Sequence, residues 1–299
     1  MRKKKRKQQK RRFKRMPFII LILFGFGYPV WWYLSQHKLL PDAIAADSLH
    51  TFLTDASLSD EYEPEYLSAI AQPEMLLLPA LAQNEVPTKH TGYSLLYDEN
   101  YEQARWVAYR LTAKHLADKQ VERTNDFHAD TSVRSGSATL EDYRRSGYDR
   151  GHLIPAADQG WAADAMHESF VMSNMSPQVP EFNRGIWKEL ETQTRQWAKI
   201  HGELLVVTGP VLETGLKTIG KSKVAVPKQF YKVLFDYQPD GVEAIGFLME
   251  NKALFGELKT YAVTVDKVEE LTGLDFFPSL PDEAENRLES RINTGHWFE

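Results

Sequence analysis

The sequence predicts a mixed α/β domain of the α+β kind, tethered by one N-terminal transmembrane helix. Three observations lead there. An uncharged run of nineteen residues follows a basic tail, several short apolar runs end in Gly and Pro, and one long segment repeats its apolar residues at helical spacing. At 299 residues the chain has room for one large domain or two small ones. It has no cysteine, which excludes disulfides, Cys-ligated zinc and thiol nucleophiles together.

Residues 1–15 form the basic tail, with eleven Lys or Arg and no acid between positions 2 and 15. The rest of the chain then carries 25 basic against 41 acidic residues, a net of −16 behind an overall −5. Residues 16–34, "MPFIILILFGFGYPVWWYL", are uncharged. At about 1.5 Å per residue they nearly cross a hydrocarbon core of about 30 Å. Trp31, Trp32 and Tyr33 stand at the far end, where an aromatic belt belongs. A cleaved signal peptide is the competing reading, with Ala43-Ile44-Ala45 as its site, but that site lies about ten residues beyond the apolar run. The basic flank keeps the N-terminus cytoplasmic and sends the acidic bulk across the membrane. That places it in the periplasm or outside a bacterium, or in a mitochondrial space of a eukaryote.

Residues 35–90 read as a stalk and lead-in, acidic and broken by proline. The folded domain is expected over 91–299. Trp106, Ala108 and Arg110 alternate with Val107, Tyr109 and Leu111, as in a strand. "ELLVVTGPVL" (203–212) is a second strand closed by Gly-Pro, and "KQFYKVLFDYQPDGVEAIGFLME" is a hairpin turning at "QPDG". In "FNRGIWKELETQTRQWAKI", Ile186, Trp187, Leu190, Thr194 and Trp197 share one helical face.

Chemistry concentrates in "GYDRGHLIPAADQGW" (147–161) and "SNMSPQVPEFNRGIWKELE" (173–191). A lone histidine is more often structural than catalytic, but His152 follows Arg150, a cation suited to phosphate, and Gly151, which permits close backbone approach. A base beside a phosphate-binding cation is what phosphodiester hydrolysis needs. Asn183 offers a hard neutral oxygen suited to Mg²⁺, although its place at a helix start also suits an N-cap. On one continuous helix Glu191 would lie about 80° around and about 12 Å along from Asn183, so one ion takes Asn183 directly and Glu191 through water. Asp149 is read as local structure.

Together these segments resemble the DNA/RNA non-specific endonucleases of the endonuclease G and Serratia nuclease type. D-R-G-H is followed by N-x-S-P-Q, then N-x-x-x-W and a Glu, and the resemblance runs from about residue 93 to 290. It implies a ββα-metal (His-Me) finger and a sugar-non-specific, Mg²⁺-dependent endonuclease, with Mn²⁺ as a substitute ion. By resemblance His152 is the general base, Arg150 contacts phosphate, Asn183 holds the metal, Glu191 orders its water shell and Asn174 supports the site. Arg123 is the loosest match, to a transition-state arginine. Members are often dimers, so a homodimer is a further expectation.

A domain of net −16 repels a polyanion, so DNA or RNA must bind through a local basic patch, contacting phosphate and sugar with little base preference. Arg144, Arg145, Arg150, Arg184, Lys188 and Arg195 are its candidates, with Lys228 and Lys232 weaker ones. Two alternatives remain: a membrane-held module that binds nucleic acid without cleaving it, and a phosphodiesterase for small nucleotides.

Overall fold

The structure, a computed structural model, describes residues 76–237 and 242–299. The basic tail, the expected membrane anchor at 16–34, most of the lead-in and the expected turn at 238–241 lie outside the described residues. Within them, no helix is long and apolar enough to cross a membrane.

β1 (Thr88–Lys89), β2 (Ser94–Asp98) and β3 (Gln103–Thr112) lead into α1 (Ala113–Ala117) and α2 (Leu140–Tyr143). Then come β4 (Asp149–His152), α3 (Ala163–Glu168), β5 (Met175–Gln178), α4 (Pro180–Arg184) and α5 (Ile186–His201). The remainder is β6 (Glu203–Pro210), β7 (Thr218–Ile219), β8 (Val224–Ala225), β9 (Gln229–Asp236), β10 (Glu243–Glu250) and β11 (Ala262–Val263), closed by α6 (Val265–Thr272), α7 (Asp282–Glu289) and α8 (Thr294–Phe298).

Seven strands form one antiparallel sheet in the order β1-β2-β3-β6-β9-β10-β11. The expected strands at 106–111 and 203–212 are β3 and β6, and the expected hairpin is β9 and β10, paired from Asp236↔Glu243 to Gln229↔Glu250. β1 joins the sheet edge ahead of residue 91, from within the segment read as lead-in; two residues are too few to show a period.

Helices cover both faces of the sheet. The apolar stripe of α5 packs on Val107, Tyr109, Val206 and Phe230. On the opposite face Tyr231 meets Phe276 edge-on and Phe235 meets Phe277. Double coverage explains why Trp106 and Val107, neighbours that point to opposite faces, are both fully buried. The expected amphipathic face is the buried face of α5, but the helix begins later than the sequence suggests. Gly185 separates α4 from α5 at φ −101°, ψ −117°, and a Cβ there would lie 2.5 Å from the Glu181 carbonyl oxygen. No larger residue fits without unwinding the junction.

The far end of α5 is pinned by Trp197, which stacks on Phe247, meets Trp297 edge-on and donates its indole N–H to the Trp297 carbonyl. Trp197→Ala should therefore cost about 3–5 kcal/mol of stability, read from the shift in the urea midpoint.

Candidate active site

β4 and β5 pair antiparallel outside the main sheet, with Asp149 opposite Gln178, Gly151 opposite Ser176 and His152 opposite Met175. The chain then turns directly into α4. This ribbon-then-helix arrangement puts the DRGH residues and Asn183 side by side. Gly151 is required there, because a Cβ would fall 2.1 Å from the Gln178 Oε1.

The ribbon is locked from behind by Asn174. Its Oδ1 accepts from the Ile154 N–H at 3.0 Å, and its Nδ2 donates to the Ile154 carbonyl at 3.0 Å and the Ser169 carbonyl at 2.8 Å. Asn174 is fully buried. Both amide hydrogens are committed to backbone, so Asn174 fixes the chain just after His152.

His152 is 9% exposed, its ring edge-on to Phe170 at 5.0 Å and tilted on Phe127 at 5.6 Å. Its Nε2 is buried without a hydrogen-bond partner. Burial, then the charges of Arg123 and Arg150, push the imidazole down to about 3. The same two aromatic rings carry those arginines: the Arg123 guanidinium lies 5.4 Å from the Phe170 centroid and that of Arg150 lies 4.1 Å from Phe127. Imidazole and cations therefore share one aromatic support, which no sequence motif announces.

Beside this cluster opens a cleft of about 630 Å³, whose walls include Arg123, Phe127, Tyr148, Asp149, Arg150 and Asn183. Arg144 and Arg184 line it too, but each is paired, Arg144 with Glu141 at 3.2 Å and Arg184 with Asp149 at 2.7 Å. Asp149 is the pivot. Its Oδ2 accepts from the Asn183 Nδ2 at 2.9 Å and from the Arg184 Nε at 2.8 Å. Burial raises the Asp149 carboxyl, but these hydrogen bonds and the charges of Arg184 and Arg150 outweigh it and hold it below the usual carboxylate range. Because the Asn183 amide nitrogen faces Asp149, its oxygen has no hydrogen-bond partner among the described residues, at the wall of the cleft. A hard neutral oxygen held this way fits one face of a hydrated Mg²⁺.

Asn183 sits inside α4 and is no N-cap, and the break at Gly185 replaces the continuous helix assumed for Asn183 and Glu191. Glu191 is half-buried on α5 and is not on the cleft wall. Burial, opposed first by the charge of Lys232, pushes its carboxyl up to about 7; Arg123, which also acts on His152, is among its charged neighbours.

Two members of the expected basic patch are withdrawn. Lys232 is fully buried, its Nζ 5.1 Å from the Trp187 ring centroid, and desolvation lowers its ammonium to about 8. Arg195 is bound to the buried Asp158 at 2.9 Å. Lys232 alternates into the α5-covered face of the sheet, and Arg195 reaches Asp158 from α5 itself. Lys228 is exposed but paired with Glu213 at 2.5 Å. Arg144, Arg145, Arg184 and Lys188 are exposed.

Comparison with known proteins agrees with this geometry. The family model described as DNA/RNA non-specific endonuclease matches residues 79–283. The chain is 35% identical to Homo sapiens "Endonuclease G, mitochondrial" over 217 residues, 68% of this chain and 72% of that one. It is 33% identical to a Nostoc sp. protein named "Nuclease" over 213 residues, 67% and 76% of the two chains. Among solved structures, EndoG in complex with EndoGI aligns with a TM-score of 0.65 at 33% identity, covering 71% of this chain and 93% of that one. With the DRGH ribbon, the arginine-lined cleft and a family match that spans both, the chain belongs to the DNA/RNA non-specific endonuclease family.

Proposed function

We propose that this endonuclease hydrolyses phosphodiesters in DNA, RNA or both, with His152 as general base and Asn183 as the protein's direct ligand to a single Mg²⁺, which Mn²⁺ can replace. In this reading β4, β5 and α4 are the ββα-metal finger. The observation that carries it is the Asp149–Asn183 hydrogen bond, which turns a free amide oxygen to the same cleft wall as Arg150.

Each residue then has a task. Arg150 and Arg123, neither engaged in an ion pair among the described residues, receive the scissile phosphate and stabilise the charge that develops on it. His152 is neutral before substrate arrives. A phosphodiester beside the two arginines offsets their field and raises the imidazole's proton affinity, so the ring takes the proton of the attacking water. Glu191 acts through water, with Lys232 and Arg195 behind it holding its charge. When bound, Mg²⁺ supplies neutralisation of the non-bridging and leaving oxygens. Tyr148 and the paired Arg144 and Arg184 border the path of the backbone. The N-terminal run 16–34 is read as an uncleaved membrane anchor on its sequence pattern alone, with the nuclease domain on the far side.

Three outcomes test the proposal. In a plasmid digestion with Mg²⁺, the full chain should nick and linearise DNA and EDTA should stop it. His152→Ala should lower the rate by roughly 10²–10⁴-fold with the fold intact, and Asn183→Ala should shift the Mg²⁺ requirement upward by about tenfold or more. A near-normal rate in His152→Ala would overturn the base assignment, and intact plasmid in wild type would favour binding without cleavage.

A second outcome concerns pH. The folded His152 stays neutral down to about 3, whereas in the unfolded chain it takes a proton near 6.5. Between those values the unfolded state binds more protons, so stability must fall as pH falls. His152→Gln should flatten this limb in denaturation curves taken from pH 6.5 downward.

Third, cell fractionation should recover the full-length chain with membranes; recovery as a soluble species beginning near Ala46 would mean a cleaved leader.

A further inference from the structure

On the sheet face opposite α5, away from the nuclease cleft, α6 and α7 pack against each other and against β10. Their facing sides are acidic. One carboxylate oxygen from each of Asp266, Glu269 and Glu289 lies within 4.8 Å of the other two. Glu289 is only 5% exposed, and its Oε1 is buried with no hydrogen-bond partner; the Glu285 Oε1 is likewise buried and unpartnered. Glu269 has its Oε1 held by the Phe276 N–H at 2.7 Å. None of these carboxylates makes an ion pair among the described residues. The nearby Lys267 is engaged with Glu270 at 2.6 Å, and Arg291 with Glu243 at 3.2 Å.

A buried carboxylate without a partner costs several kcal/mol, and clustering like charges adds to that cost. Burial first, then the charges of Glu269, Glu285, Asp266 and Asp275, push the Glu289 carboxyl up to about 9. The two other carboxylate clusters differ in kind. Asp126 is held by His167 at 2.6 Å, and Asp236 by His201 at 2.9 Å and His296 at 3.0 Å, so a histidine already satisfies each acid. Of these clusters among the described residues, only the one between α6 and α7 has no basic side chain at its centre.

We propose that Asp266, Glu269 and Glu289, with Glu285 beside them, bind a hard divalent cation of the Ca²⁺ kind that clasps α6 to α7. All the donors are oxygens, which selects against softer metals. Twice a Ca²⁺–O distance of about 2.3–2.6 Å is roughly 4.6–5.2 Å, so one ion can meet three oxygens spread over the observed distance, and Ca²⁺ tolerates the irregular geometry that Mg²⁺ does not. Glu289 lies beyond residues 79–283 of the family match, so the clasp ties the segment after the family region back onto the sheet. Its role is structural, stabilising the domain where calcium is plentiful.

The test is thermal unfolding of the full chain in a Ca²⁺ series, beside Glu269→Gln/Glu289→Gln and Asn183→Ala. Wild type and Asn183→Ala should both gain on the order of 5 °C in Tm at a large excess of Ca²⁺. The double Gln variant should melt at or above the metal-free wild type, lose the Ca²⁺-dependent gain and keep Mg²⁺-dependent nuclease activity. Equilibrium dialysis should find one fewer Ca²⁺ per chain in it, and in Glu289→Gln alone should the double variant fail to fold. No gain in wild type up to about 10 mM, beyond the weakest class of protein calcium sites, overturns the proposal. So does a gain that persists in the double variant, or a Ca²⁺ count unchanged by Glu289→Gln.

Discussion

One carboxylate organises the nuclease cleft. Asp149 opens β4, three residues before His152, and reaches across to α4, where it takes a hydrogen bond from Asn183 and two from Arg184. It joins the strand that carries His152 to the helix that carries the candidate metal ligand, and it decides which end of the Asn183 amide faces the cleft. Remove that carboxylate and the strand and helix remain, but nothing determines whether oxygen or nitrogen is presented. Gly151 and Gly185 serve the same end by omission, since a Cβ at either would strike Gln178 or the Glu181 carbonyl.

Behind the cleft lies a second charged layer. Asp158 accepts from Tyr109 at 3.1 Å and Arg195 at 2.9 Å, and Lys232 and Glu191 sit in the same buried surroundings. Burial alone would neutralise Glu191 and Lys232; each other's charge works against that. The arrangement gives a half-buried acid whose charge is set by Lys232, Asp158, Arg195 and Arg123 around it. The protein as a whole is acidic, so affinity for a polyanion depends on the local positive charge of Arg123 and Arg150 at the cleft.

Much of the fold could be read in the chain. The strands at β3 and β6, the β9–β10 hairpin and the buried face of α5 follow from runs and periods in the apolar residues. The DRGH ribbon and Asn183 were legible as motifs because their spacing is local. Most of what failed traces to contacts between residues distant in sequence. The role of Asp149 depends on a partner thirty-four positions away. Lys232 reads as a surface cation in "KQFYKVLF" until strand alternation turns it under α5. The helix appeared continuous because Gly185 is tolerable in a helix by sequence alone; only the Glu181 carbonyl shows that it ends one. The aromatic support of Phe127 and Phe170 carries no motif.

The pairing of Arg184 and Arg144 has a consequence for how the enzyme holds its polymer. Four arginines face the cleft, but two are already neutralised by Asp149 and Glu141 and cannot displace condensed counterions without breaking those bonds. If Arg123 and Arg150 alone receive phosphates, as proposed, the logarithmic salt slope is roughly −1.8, where four arginines would give about −3.6. On that reading, so shallow an electrostatic well would let the strand slip to its next linkage after each cut.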